Sequence, residues 1–191
     1  DDISHAQKIN ETTAQALKKE FSEGYKGVLY GGFIATADGV KLIEYNARLG
    51  DPEAMNVLPL LESDFVEVCH GIVNGDLDER NVSFSRRATV CKYAVPEGYP
   101  DSPVKGEPID VSSVTDTSQL YYASVDMKDG TLIEAGSRTV AYVGIAGSLV
   151  KAEVKAATEI SKVRGPLFHR TDIGTTELIQ KRVEHMQTLR N

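Results

Sequence analysis

Glu44, Asn46 and Arg48 stand two residues apart and are the side chains of this sequence best suited to chemistry. On an extended strand such residues share one face, at steps of roughly 6.5–7 Å. A carboxylate, an amide and a guanidinium on one face suit a divalent cation held beside a phosphate. The hard oxygens take the metal, and the planar fork takes the phosphoryl oxygens. On spacing alone the other reading is level with it: a solvated strand end, with Arg48 paired to Glu44 as a surface ion pair of little energetic value. The residues after Arg48 favour the functional reading. Gly50 permits close backbone approach, and Asp51 and Glu53 flank Pro52 at a helix entry, adding two carboxylates beside the same face.

The elements that must position these groups are set by local patterns. Asp2 to Phe21 reads as a helix, with Ser4 and Gln7 spaced as a capping box and Gly24 ending it. Lys26 to Asn46 reads as a hairpin: Val28 to Ala35 forms one strand, Asp38-Gly39 the turn, and Val40 to Tyr45 the return. Asp51 is a good N-cap, Pro52 fits the first helical position, and Pro59 ends or kinks that helix. Ser63 or Asp64 caps the next helix, with Phe65, Val66, Cys69, Ile72 and Val73 expected on its inner side and Asn74-Gly75 as its stop. Leu77 to Asn81 is polar and marks a boundary, giving expected domains 1–80 and 81–191.

The second part has a different texture. Ala88 to Val95 reads as a strand, and 96–108 is a loop with four of the seven prolines. Leu120 to Met127 and Thr131 to Ala135 flank Asp129-Gly130 as a hairpin, and Thr139 to Ile145 is an apolar strand. Ser148 caps a helix running to about Val163, with Leu149, Val150, Val154, Ala157 and Ile160 at helical spacing. Gly165-Pro166 breaks it, 167–174 is extended, and Thr175 or Thr176 caps a last helix. The fold class expected is α+β.

The totals set limits. A length of 191 residues, 41% apolar, is enough to build a core without staples. A net charge of −7 argues against broad nucleic-acid binding but allows a local basic pocket. Cys69 and Cys91 form no C-x-x-C pair, and the four histidines are scattered, so neither a disulfide framework nor a zinc site is indicated. Reduced cysteines fit a cytoplasmic location, and no apolar run reaches the length of a membrane span. The chain opens at Asp1, directly into a helical pattern, as a fragment of a longer protein would.

EYNARLGDPEA, followed by LPLLESDFVEV, resembles the signature region of the phosphoribosylamine–glycine ligase family, in which E-[FY]-N-x-R-[FL]-G-D-P-E is long and specific. GVLYGGFIATADG, AGSRTVAYVGIAGSLVKAEVKAA and GPLFHRTDIG extend the resemblance from about Tyr25 to Gly174. It implies the C-terminal portion of an ATP-grasp domain followed by a small mixed sheet/helix C-terminal domain. It also implies an enzyme using ATP and Mg²⁺ or Mn²⁺ to join glycine to 5-phosphoribosylamine, with the N-terminal domains missing. The metal would fall to Glu44 and Asn46, and the transferring phosphoryl group to Arg48. Asp51 and Glu53 match the motif's acidic pair, for which we expect an amine-holding role. The alternatives are another ATP-grasp carboxylate–amine ligase or carboxylase, against which Gly50-Asp51-Pro52-Glu53 argues, and a non-catalytic module retaining the fold. With the opposite wall missing, the chain alone is expected to be inactive and to bind ATP weakly.

Three further motifs are weaker. Gly136-Ser137-Arg138 stands where the family usually has Gly-Gly-Arg. Arg138 is either an exposed hairpin end or a ligand for the phosphate of phosphoribosylamine. His169, beside Arg170 and Asp172, reads as a structural cluster. Arg86 and Arg87 point to opposite faces of a strand and are both read as solvated, and Cys69 is read as core packing.

Overall fold

The computed structural model describes residues 1–78 and 81–190, so part of the polar boundary stretch, at positions 79 and 80, lies outside the described residues. The chain divides into two units, one comprising 1–85 with 180–191 and the other 86–179.

The first unit opens with α1 (Asp2–Glu20). Its cap is Asp1, whose carboxylate accepts from Ser4 N–H at 2.8 Å, so the expected capping box at Ser4 is not formed. Ser4 is already inside the helix, and the Gln7 amide donates to Glu11 instead. The hairpin pairs β1 (Tyr30–Thr36) with β2 (Gly39–Asn46), antiparallel. Thr36 pairs with Gly39, so Ala37 and Asp38 form the turn and Gly39 (φ 100°) comes after it. The hydroxyl of Tyr45 donates to Asn10 Oδ1 at 2.8 Å and lies 3.2 Å from Thr13 Oγ1, fastening α1 to the hairpin.

Next come α2 (Glu53–Val57), a 3₁₀ turn at Leu58–Leu60, and α3 (Phe65–Asn74). The N-cap of α2 is Pro52 rather than the expected Asp51, and Pro52 has no side-chain group to cap with. Asp64 does cap α3, accepting from Val66 N–H and Glu67 N–H, and Gly75 (φ 79°) ends it in the left-handed conformation. The inner face expected of α3 is only partly formed. Cys69 and Ile72 are half-buried, whereas Phe65, Val66 and Val73 are exposed. Val40 is the one buried apolar side chain of this unit among the described residues.

The second unit carries the main core. Its sheet has the order β4-β7-β3-β8, formed by β3 (Ala88–Pro96), β4 (Leu120–Tyr122), β7 (Val140–Ala146) and β8 (Leu167–His169), all antiparallel to their neighbours. A separate hairpin pairs β5 (Val125–Lys128) with β6 (Thr131–Glu134) through Asp129 (φ 49°) and Gly130 (φ 79°). The single strand expected over 120–127 is therefore two, because its first part joins the main sheet and its second turns away.

Helix α4 (Leu149–Ile160), capped by Ser148, covers the sheet. Its buried face is Ala152, Ala156, Glu159 and Ile160, so the expected stripe holds only at Ile160 and, half-buried, Ala157, while Leu149, Val150 and Val154 are exposed. Small residues face inward because the helix lies directly on Gly144. A Cβ there would stand 1.9 Å from the Ala152 carbonyl oxygen. Arg87 is exposed but also donates to the Ile145 carbonyl at 3.1 Å, so its head is held rather than simply solvated. Helix α5 (Thr176–Arg190) runs on into the first unit, where Arg190 forks the Asp2 carboxylate at 2.9 Å.

Candidate active site

One cavity of ≈ 220 Å³ in the first unit gathers Tyr30, Gly32, Ile43, Glu44, Asn46, Arg48, Gly50, Asp51 and Glu53. Five of the six sequence-derived candidates thus meet in one place, and Arg138 belongs to the second unit.

Strand β2 places the first two. Glu44 and Asn46 share a face, and the Asn46 amide nitrogen donates to Glu44 Oε1 at 3.1 Å. A bulge adjusts their aim. Gly32 pairs with Glu44 and Phe33 with Leu42, so Ile43 is an extra residue and lines the cavity together with Glu44. Arg48 arrives differently from the expected alternation: β2 ends at Asn46, and Arg48 sits on the bend beyond it. Its long side chain still reaches the cavity wall, and its Nη1 donates to the Leu49 carbonyl at 2.7 Å.

Glu53 is brought in by the turn at Gly50. A Cβ on Gly50 would stand 2.3 Å from Glu53 Oε2, so any side chain there would displace the carboxylate from this position. The Gly50 carbonyl also accepts from Ala54 N–H at 2.8 Å, closing the entry to α2. Opposite stands Tyr30, paired in register with Asn46. Burial raises its phenol, and its hydrogen bond to Glu53 and the charges of Glu53 and Glu44 raise it further. Tyr30 therefore stays a neutral donor to Glu53. Strand alternation does not single it out as a site residue, and a plain count back from the turn would set it opposite Tyr45; the bulge at Ile43 moves it opposite Asn46.

Among the described residues no three His, Cys, Asp or Glu side chains converge on a metal position. A divalent ion here would rest on one carboxylate and one amide oxygen. The donor set fits that use: the Asn46 nitrogen is turned to Glu44 Oε1, which leaves Asn46 Oδ1 and Glu44 Oε2 as hard oxygen donors. A larger cavity of ≈ 510 Å³ beside α3 has Asp64, Glu67 and His70 in its wall, but Asp64 is engaged in capping the helix.

Arg138 is half-buried, with its guanidinium carbon 5.5 Å from the Tyr93 ring centroid, a cation–π placement. Ser137, where the family has glycine, does not take a positive φ, so a side chain is tolerated there. Gly136 is the position that needs glycine, since a Cβ on it would stand 2.5 Å from Ser124 Cβ. His169 is half-buried, and burial together with the charge of Lys92 lowers its imidazole. Arg170 and Asp172 pair through two hydrogen bonds at 2.9 and 2.6 Å.

Known proteins match along most of the chain. Residues 1–54 match the ATP-grasp (A) domain of phosphoribosylglycinamide synthetase, and residues 89–176 match the C domain of the same enzyme. The phosphoribosylamine–glycine ligase of Methanosarcina acetivorans is 53% identical over 189 residues, covering 99% of this chain and 43% of that protein. The corresponding enzyme of Methanocaldococcus jannaschii is 51% identical over 193 residues, covering 100% and 43%. The crystal structure of phosphoribosylamine–glycine ligase from Thermotoga maritima superposes with a TM-score of 0.76 at 28% identity, over 90% of this chain and 42% of that one. The chain thus spans less than half the length of the relatives it matches. With two consecutive domains matched in order and the signature residues gathered in one cavity, the chain belongs to the phosphoribosylglycinamide synthetase family.

Proposed function

We propose that this chain forms the metal- and phosphate-facing wall of a cytoplasmic ATP-dependent ligase that joins glycine to 5-phosphoribosylamine. The products are glycinamide ribonucleotide, ADP and phosphate. The observation that carries this reading is the convergence of Glu44, Asn46, Arg48, Asp51 and Glu53 on one cavity. In the reaction, a carboxylate oxygen of glycine attacks the γ-phosphorus of ATP and ADP leaves, giving glycyl phosphate. The amine of phosphoribosylamine then attacks the acyl carbon, and phosphate departs with the bonding pair.

Glu44 and Asn46 would hold Mg²⁺ or Mn²⁺, and a divalent ion there supplies Lewis-acid neutralisation of phosphoryl oxygens. Arg48 faces the same space with a fixed positive charge, which offsets the charge spread over the oxygens in transfer. Asp51 and Glu53 offer carboxylates to an ammonium or amine, with Glu53 oriented by the Tyr30 hydroxyl. Arg138, from the second unit, would take the phosphate of phosphoribosylamine. The remaining domains of the same enzyme would provide the opposite wall.

The test uses the complete enzyme. Glu44→Gln is expected to raise the Mn²⁺ concentration needed for half-maximal glycine-dependent ADP formation by more than about tenfold. Asp51→Asn is expected to raise the apparent KM for glycine or phosphoribosylamine. No glycinamide ribonucleotide from the unmodified enzyme would sink the activity; an unchanged KM for both amines would sink the role of Asp51 alone.

A further inference from the structure

The second unit encloses a carboxyl group that no neighbour neutralises. Glu134, the last residue of β6, is 0% exposed, and neither of its carboxyl oxygens has a hydrogen-bond partner. Its backbone, by contrast, is fully engaged. Glu134 N–H donates to the Glu107 carbonyl at 3.0 Å, and the Glu134 carbonyl accepts from Gly106 N–H at 2.8 Å. Ile109 N–H donates to the Leu132 carbonyl at 2.9 Å, and Pro108 bridges to Ile133. These bonds stitch the β5–β6 hairpin onto segment 106–109 and commit the Glu134 side chain to the interior.

The charged groups on the elements packed around it are Glu97 beyond β3, Lys105 and Glu107 on the adjoining segment, Asp126 and Lys128 on β5, and Arg138 after β6. Lys105 and Lys128 are exposed, and the Arg138 guanidinium is placed over Tyr93. The charges that do act on Glu134 are those of Glu107 and Glu97, both negative. They add to the burial that already holds its carboxyl above the usual range. Among the described residues no metal-ligand cluster is present to compensate. An ionised carboxylate without a partner is strongly disfavoured in such an interior, so burial favours the protonated acid there.

We propose that Glu134 is a proton-gated latch of the second unit: as the neutral acid it lets the β5–β6 hairpin close on segment 106–109, and loss of the proton opens that joint. The Gly136–Arg138 turn leaves the same hairpin, whose ladder continues through the Ala135 N–H bond to the Ser124 carbonyl at 2.9 Å. The latch stands independently of the ligase reading, because its test needs no ligand.

The sign comes from linkage. A carboxyl held above its unfolded value contributes fully at pH below that value, and its contribution is lost as pH rises through the folded value. Urea unfolding of this chain and of Glu134→Gln, from about pH 4.5 to about pH 8, reads this difference. The unfolding constant of the wild type, divided by that of E134Q, is expected to rise by up to about tenfold per pH unit until the folded carboxyl ionises. Over the same range, exchange protection of the Gly106, Ile109 and Glu134 amides, normalised for intrinsic rate, is expected to fall in the wild type only. Parallel curves for the two proteins would overturn the latch. Should E134Q not fold, the ¹³C resonance of the wild-type Glu134 carboxyl decides alone. A midpoint above the ordinary carboxylate range supports the proposal, and one within or below that range refutes it.

Discussion

Gly144→Ala tests the packing on which the second unit depends. Built on Gly144, a Cβ stands 1.9 Å from the Ala152 carbonyl oxygen and 2.8 Å from the Ala156 nitrogen. Carbon and carbonyl oxygen approach to about 3.3 Å at closest, so α4 must retreat by about 1.4 Å or β7 must buckle. Both contact atoms are backbone, which no rotamer change can move aside. The residues around the joint leave no slack: Val140, Tyr142, Ala152 and Ala156 are 0% exposed and Ile160 is 1% exposed. Overpacking a dense core costs about 1–3 kcal/mol, and a helix lifted by an ångström also forfeits part of its dispersion contacts, so the upper end applies. Alanine recovers about 0.5–1 kcal/mol of backbone entropy relative to glycine in a strand. The net expectation is a loss of about 2 kcal/mol or more. Because two units need not unfold together, urea denaturation should be followed by amide exchange at β7 rather than by a global signal. A loss below about 0.5 kcal/mol, or any gain, would show that the helix is not seated on Gly144 as described.

Two other outcomes rest on buried charge. Lys92 is 1% exposed, with Nζ 2.7 Å from Glu153 Oε1 and donating to the Thr171 carbonyl at 2.8 Å. Glu153→Ala strands that ammonium and should cost about 3–5 kcal/mol, whereas Lys92→Met, apolar and of similar length, should cost less; the reverse ranking in urea melts would refute the pairing as a buried one. Glu159 is held below its ordinary value of 4.5 by the Lys162 hydrogen bond first and the Thr115 N–H next. Its contribution is present above that value and is lost as pH falls through the folded value, so Lys162→Ala should flatten the acid limb of a stability–pH curve; an unchanged limb counts against the network.

Which parts of the site were legible in the chain depends on how local the signal was. Glu44 and Asn46 meet because strand alternation is a two-residue property, and their contact needs nothing beyond β2. Arg48 reaches the cavity by side-chain length from a bend, which alternation does not describe. The bulge at Ile43 is a mismatch between two strands and has no signature in either alone. Tyr30 enters only through the register of the hairpin, and the Glu53 carboxylate folds back over Gly50, a contact between residues three apart.

Most of the helices and strands, the helix caps at Asp64 and Ser148, the turn at Asp129-Gly130, the place of the first hairpin turn to within a residue, and the signature run from Glu44 to Glu53 are all written in neighbouring residues. Conformational preference and hydrogen bonding over a few positions suffice to set them. Which face of an element turns inward is a property of its partner. The period of α4 admits an apolar stripe through Val150 and Val154, yet Ala152 and Ala156 are buried, since a glycine on another strand accepts only a small-residue face. Glu134 is the same lesson in charge: a glutamate at a strand end is ordinarily an outward-facing polar residue, and only the ladder with segment 106–109 carries it into the interior. Local chemistry could be read along the chain, while burial was decided by what packs across from it.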